Sequence, residues 1–158
     1  MNRSTEHPEM RRFDFESDIY ETLSCVPMAV RHKLDCAGIK ITLQQWEALP
    51  LAERRILCEL PQQTQSQLSQ LSELICQRTR ECSGEQPSVL SSEQRHAAFP
   101  PSELPSRLAD NARALGFALS PERWTSLDDD ERYALMKLGG GLRTKRNFGP
   151  ALKEFLEE

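Results

Sequence analysis

No stretch of this chain approaches the roughly 18 consecutive apolar residues of a membrane-spanning helix, so no membrane partner is expected. The opening residues, MNRSTEHPEMRRFDFE, hold no apolar run of the kind that drives secretion. Basic excess is missing too. Twenty Lys and Arg stand against 24 Asp and Glu, for a net charge of −4, which argues against general nucleic-acid binding. Apolar residues reach only 38% and mean hydropathy is −0.58, so part of the 158 residues is expected outside the core. The polar residues 1–12, with Pro8 among them, read as a disordered tail. Cysteines are five, an odd number at irregular spacing (Cys25, Cys36, Cys58, Cys76, Cys82), without a Cys-x-x-Cys pair. With no export signal, that pattern points to free thiols in a reducing cytoplasm. Histidines are three, and His7 and His96 fall in the tail and a linker. No Ser–His–Asp or Cys–His arrangement can be built, so no catalytic residue is named.

What the chain does have is an internal echo. Pro27, Gly38, Trp46, Leu49, Glu53, Arg54, Leu57 and Leu60 recur 78 residues later as Pro105, Gly116, Trp124, Leu127, Glu131, Arg132, Leu135 and Leu138. That is eight identities over 34 positions without a gap. Val30/Leu108, Ile39/Phe117, Ile41/Leu119 and Thr42/Ser120 keep their chemical type.

Local signals give the elements. Ser17 is placed to cap a short helix running to Leu23. Pro27 suits a first helical turn, Val30, Lys33, Leu34 and Ala37 continue at helical spacing, and Gly38 stops the helix. Thr42 caps a short helix with Leu43 and Trp46 expected inward, and Pro50 opens another that Pro61 closes. Residues 62–82 carry a narrow stripe of Leu68, Leu71, Leu74 and Ile75, joined by Arg78. Residues 83–102 are rich in Ser, Pro and Gly and read as a linker or long loop, with Phe99 as its anchor. The second copy has its own stop at Gly116, the cap Ser120–Pro121, and Asp128–Asp130 at a helix N-terminus. FGPALKEFL closes the chain as an amphipathic helix, and no strand is expected. The fold expected is all-α. A single helical domain over 13–158 would contain two related helix–turn–helix units (about 27–60 and 105–138), a longer connecting helix and a C-terminal helix.

Several groups invite chemistry. His32 and Cys36 share a helix face at metal-ligand spacing, but lack a second pair; the plainer reading is a surface histidine beside a small buried cysteine, and no metal site is named. Arg31 and Asp35 form an i,i+4 pair with Lys33 beside them, either a solvated helix face or a partner-docking patch. Trp46 and Trp124 are expected in the core, with an exposed aromatic hot spot as the alternative. Glu53–Arg54 and Glu131–Arg132 are expected as structural ion pairs after each tryptophan helix. The run Gly139–Asn147 is glycine-rich and basic but lacks P-loop order. It is either a hinge or an anion site formed by Arg143, Lys145 and Arg146.

Phe15-Glu16, Cys25-Val26-Pro27-Met28, the run Val30 to Asp35, Gly38-Ile39-Lys40, Trp46 and Glu53-Arg54 together resemble the nitrate reductase-associated protein family. Asn147-Phe148, Pro150-Ala151-Leu152 and Glu154-Phe155 resemble that family's ending. Two positions depart from the pattern: Ala37 and Gln62 stand where the family tends to have cysteine. The resemblance implies a non-catalytic accessory role for assimilatory nitrate reductase, in maturation, cofactor loading or stability. The partner expected is the reductase or its precursor, and no cofactor of the chain's own is implied. Alternatives are a carrier of an anionic cofactor such as a molybdenum-pterin, and a small thiol- or metal-dependent enzyme.

Overall fold

The computed structural model describes residues 10–61, 64–96 and 98–157. Most of the expected tail, residues 1–9, and the expected helix start at 62–63 lie outside the described residues. The fold is all-α, with one very short strand pair. The described residues divide into two compact units, one of those within 10–12 and 18–98, the other of those within 13–17 and 99–157.

In the first unit, Pro27 is the N-cap residue of α1 (Met28–Ala37). Gly38 ends α1 in the left-handed region, φ 82°, where its N–H returns to Asp35 O and Leu34 O; that conformation is nearly free only for glycine. Thr42 and Gln45 cap α2 (Leu43–Ala48) reciprocally. Pro50 leads into α3 (Leu51–Glu59), and Thr64 with Gln67 caps the long α4 (Gln65–Ser83). Residues 83–102, expected as a linker, contain two ordered pieces. β2 (Ser88–Val89) pairs antiparallel with β1 (Ile39–Lys40), and α5 (Ser92–His96) follows. Strands of two residues are too short to leave a period-two pattern in sequence.

Helix α4 packs on α1 and α2. Val30, Leu34, Ile39, Trp46, Leu57 and Ile75 lie in the core it covers, each contributing about 1.5–3 kcal/mol by burial. Trp46 is fully buried, and its indole N–H donates to Leu23 O at 2.7 Å. Leu23 itself holds a positive φ of 51°. Residues 14–19 form a kinked 3-10 segment in place of the helix expected up to Leu23. Leu43, expected inward, is half exposed.

The second unit uses the same devices. Pro105 is the N-cap residue of α6 (Ser106–Ala114), and Gly116 takes φ 89° just past its end. Ser120 caps α7 (Pro121–Ser126), with Pro121 in the first turn. Asp128 and Glu131 form a capping box on α8 (Asp129–Gly139). Trp124 is fully buried, and its indole N–H donates to Pro101 O at 3.1 Å, 23 residues upstream like the acceptor of Trp46. α8 packs on α6 and on the last helix, α9 (Phe148–Leu156). Phe99, expected as an anchor, is largely exposed.

Candidate functional site

The charged run of α1 does not form a solvated patch. Lys33 is buried, and its ammonium donates to three carbonyls, Leu57 O at 2.8 Å, Cys58 O at 3.2 Å and Leu60 O at 2.6 Å. These carbonyls lie at the C-terminal end of α3, where a cation satisfies acceptors that have no helical partner. Burial pushes the Lys33 ammonium down to about 8, against the opposing pull of Cys58 and Glu59. Asp35 is buried as well, and Arg31 is the member of the docking triplet that reaches solvent in part. The reason is helical spacing: Lys33 stands three residues from Val30 and beside Leu34, on the inward face.

His32, read from sequence as a surface residue, is buried, and its Nε2 donates to Ala98 O at 2.7 Å. Cys36, the expected small buried cysteine, is half exposed. It lines a polar cavity of about 270 Å³ with Gln65, Ser69, Ser72, Glu73 and Arg95. Among the described residues, no group of three or more His, Cys, Asp or Glu side chains is placed to hold a metal. The five cysteines are free thiols, and burial pushes Cys58 up to about 11.

The expected Glu53–Arg54 ion pair gives way to longer-range partners, because neighbours i and i+1 on a helix point to different faces. Glu53 binds Arg78 of α4 through two hydrogen bonds, one of them 2.7 Å. Its hydrogen bond to Arg78 holds the Glu53 carboxyl below its ordinary range and raises the guanidinium. This pair stands at an apolar cavity of about 200 Å³ lined by Leu49, Ile56, Leu57, Leu74 and Ile75. Arg54 donates instead to Leu49 O and Leu23 O, both at 2.9 Å, which ties the strained Leu23 turn to the tryptophan helix. In the second unit Glu131 serves the capping box, while Arg132 bonds Asp129 Oδ1 at 2.7 Å and lies over the Trp124 ring.

Asn111 was not singled out from sequence, although it occupies the position of Lys33 at the 78-residue offset. Its side-chain amide donates to Gly139 O at 2.7 Å and Gly141 O at 3.1 Å, at the C-terminal end of α8. An ammonium in one unit and an amide in the other thus perform the same closure. Arg143, Lys145 and Arg146 are exposed on the following loop, whose backbone is fixed by Lys145 N–H to Leu138 O at 2.7 Å. The glycines before it have a packing reason. A methyl group on Gly139 would sit 2.2 Å from the Phe148 ring, and one on Gly140 would sit 2.7 Å from Met136 O.

Two helical units, each pinned by a buried tryptophan and closed by a side chain on helix-end carbonyls, define a small all-α protein whose signature polar residues are largely engaged internally. The chain belongs to the conserved nitrate reductase-associated protein family, whose profile matches residues 12–155. No match was found among curated proteins or among solved structures.

Proposed function

We propose that this protein is a non-catalytic accessory protein of assimilatory nitrate reductase, acting by docking on the reductase or its precursor during maturation, cofactor loading or stabilisation. Membership of the nitrate reductase-associated family over residues 12–155 carries the reading. The polar residues of the family-like run are engaged in holding the helical body together: His32 on Ala98 O, and Lys33 on three carbonyls. What the molecule offers a partner is therefore its outer surface, of which Arg31 and the basic run after α8, exposed at residues 141–146, are the charged candidates. The related units around 27–60 and 105–138 are, on this reading, two copies of one scaffold frame. Among the described residues no helix is long and apolar enough to cross a membrane. A cytoplasmic site of action is part of the proposal and is supported by the free thiols.

Complementation in the native host tests it. Loss of the gene is expected to lower nitrate reductase activity, and a chain carrying Cys36→Ser and His96→Gln together is expected to restore it fully. Failure of that folded variant to restore activity would favour a thiol-dependent enzyme instead. A second reading, carriage of an anionic cofactor, is favoured by Arg143, Lys145 and Arg146 standing exposed on a loop with a fixed backbone. Thermal stabilisation by phosphate or a pterin phosphate, abolished by Arg143→Glu with Lys145→Glu, would support it.

A further inference from the structure

In the first unit, the residues after the stop glycine of α1 are covered. β2 pairs with Ile39–Lys40, Leu90 N–H donates to Gly38 O at 2.9 Å, and a methyl group on Gly38 would meet Arg95 Nε at 3.1 Å. Ile39 is buried, and so is Pro87 just before β2. The corresponding stretch of the second unit, Gly116–Phe117–Ala118, is bare. A methyl group on Gly116 would meet nothing within 4 Å. Phe117 is only half-buried, and Leu115 is 48% exposed. Among the described residues Ala118 makes no backbone hydrogen bond, while the Phe117 N–H is engaged by Ala112 O. Beside this edge lies a cavity of about 400 Å³ lined by Ala109, Arg113, Phe117, Ala118, Leu119 and Ser120.

We propose that the Phe117–Ala118 edge is a docking site for an extended peptide segment of a partner protein, which adds antiparallel to it as Ser88–Val89 adds to Ile39–Lys40. Main-chain hydrogen bonds to an open edge supply affinity, and side-chain pockets supply choice of sequence. The chain itself shows what covers such an edge: an extended segment with a buried residue beside the paired strand. In the second unit the cavity takes an apolar side chain against Phe117 and Leu119. Arg113, exposed and, among the described residues, ion-paired with the exposed Asp110 of its own helix, takes an acidic neighbour. The site deepens the docking reading above, and rests on it only in that the protein works by binding another protein.

The test uses a displayed library of random nonapeptides, selected against the full chain and read by fluorescence polarisation. Enriched peptides are expected to combine an apolar residue with an acidic one and to bind at least roughly tenfold more weakly to Ala118→Pro, which removes the edge N–H donor. Phe117→Asp, which keeps the backbone donor and spoils the cavity, is expected to weaken them similarly; both variants are checked for an unchanged circular dichroism spectrum. Amide shifts confined to residues 112–120 on titration would support the site. No enrichment, or peptides that bind both folded variants as well as wild type, would overturn it. Self-association through this edge that excludes peptides would also overturn it, in favour of a second copy as occupant. Purified reductase is titrated separately. Edge-dependent peptides without reductase binding retain the site and remove the reductase; reductase binding unaffected by Ala118→Pro does the reverse.

Discussion

Lys33 occupies a position on the inward face of α1 where an aliphatic residue would ordinarily stand, and it is retained there by three carbonyls that need a donor. Its ammonium titrates near 8 in the folded chain against an ordinary value of 10.5. Between those values the unfolded chain binds the extra proton, so this group makes stability rise with pH from about 8 upward; the burial cost is present in full below pH 8. Stability of wild type relative to Lys33→Met should therefore increase through that window, at a slope that approaches about 1.4 kcal/mol per pH unit above pH 8. Denaturant unfolding at pH 7, 8 and 9 measures it; above 9 the raised Cys58 thiol acts in the opposite direction. A flat difference would show that Lys33 stays charged throughout. Thr79 is fully buried, and among the described residues its hydroxyl has no hydrogen-bond partner. Thr79→Val should be neutral or stabilising by up to about 1 kcal/mol, a gain visible in the thermal midpoint. The burial of Lys33 was legible in its spacing from Val30 and Leu34. Its acceptors were not, because the end of α3 is brought there by the tertiary fold.

Among the elements, the glycines separate packing from loop freedom. Gly139→Ala drives a methyl group into the Phe148 ring and should cost about 1–3 kcal/mol, while Gly141→Ala, with only Arg143 O near at 3.9 Å, should stay within about 0.5 kcal/mol. Paired thermal melts of the two variants check the contrast. Gly116→Ala meets no atom but must hold φ 89°, so its cost is the backbone strain alone, about 1–2 kcal/mol. The caps at Thr42, Ser120 and Asp128 and the stops at Gly38 and Gly116 were readable because the chemistry is local. The partner of Glu53 is not legible for the same reason inverted: it reaches Arg78, 25 residues away, and no local rule points there. The β1–β2 pair joins residues about 50 positions apart and was hidden in a segment whose composition says loop.

For the whole molecule, the fold class and the family were open to a reader of the sequence, and the working surface was not. The run most like the family reads in sequence as a docking patch, yet its charge faces inward at Lys33 and Asp35. The bare edge at Phe117–Ala118 became visible only by comparing it with its covered counterpart at Ile39–Lys40. The central claim is that the protein works by binding the reductase. Titration of purified assimilatory nitrate reductase, in cofactor-loaded and cofactor-free form, into the purified chain by calorimetry tests it most directly. Saturable binding to at least one form, unchanged by Cys36→Ser, is the result expected. No saturable binding to either form by the folded wild-type chain would contradict it.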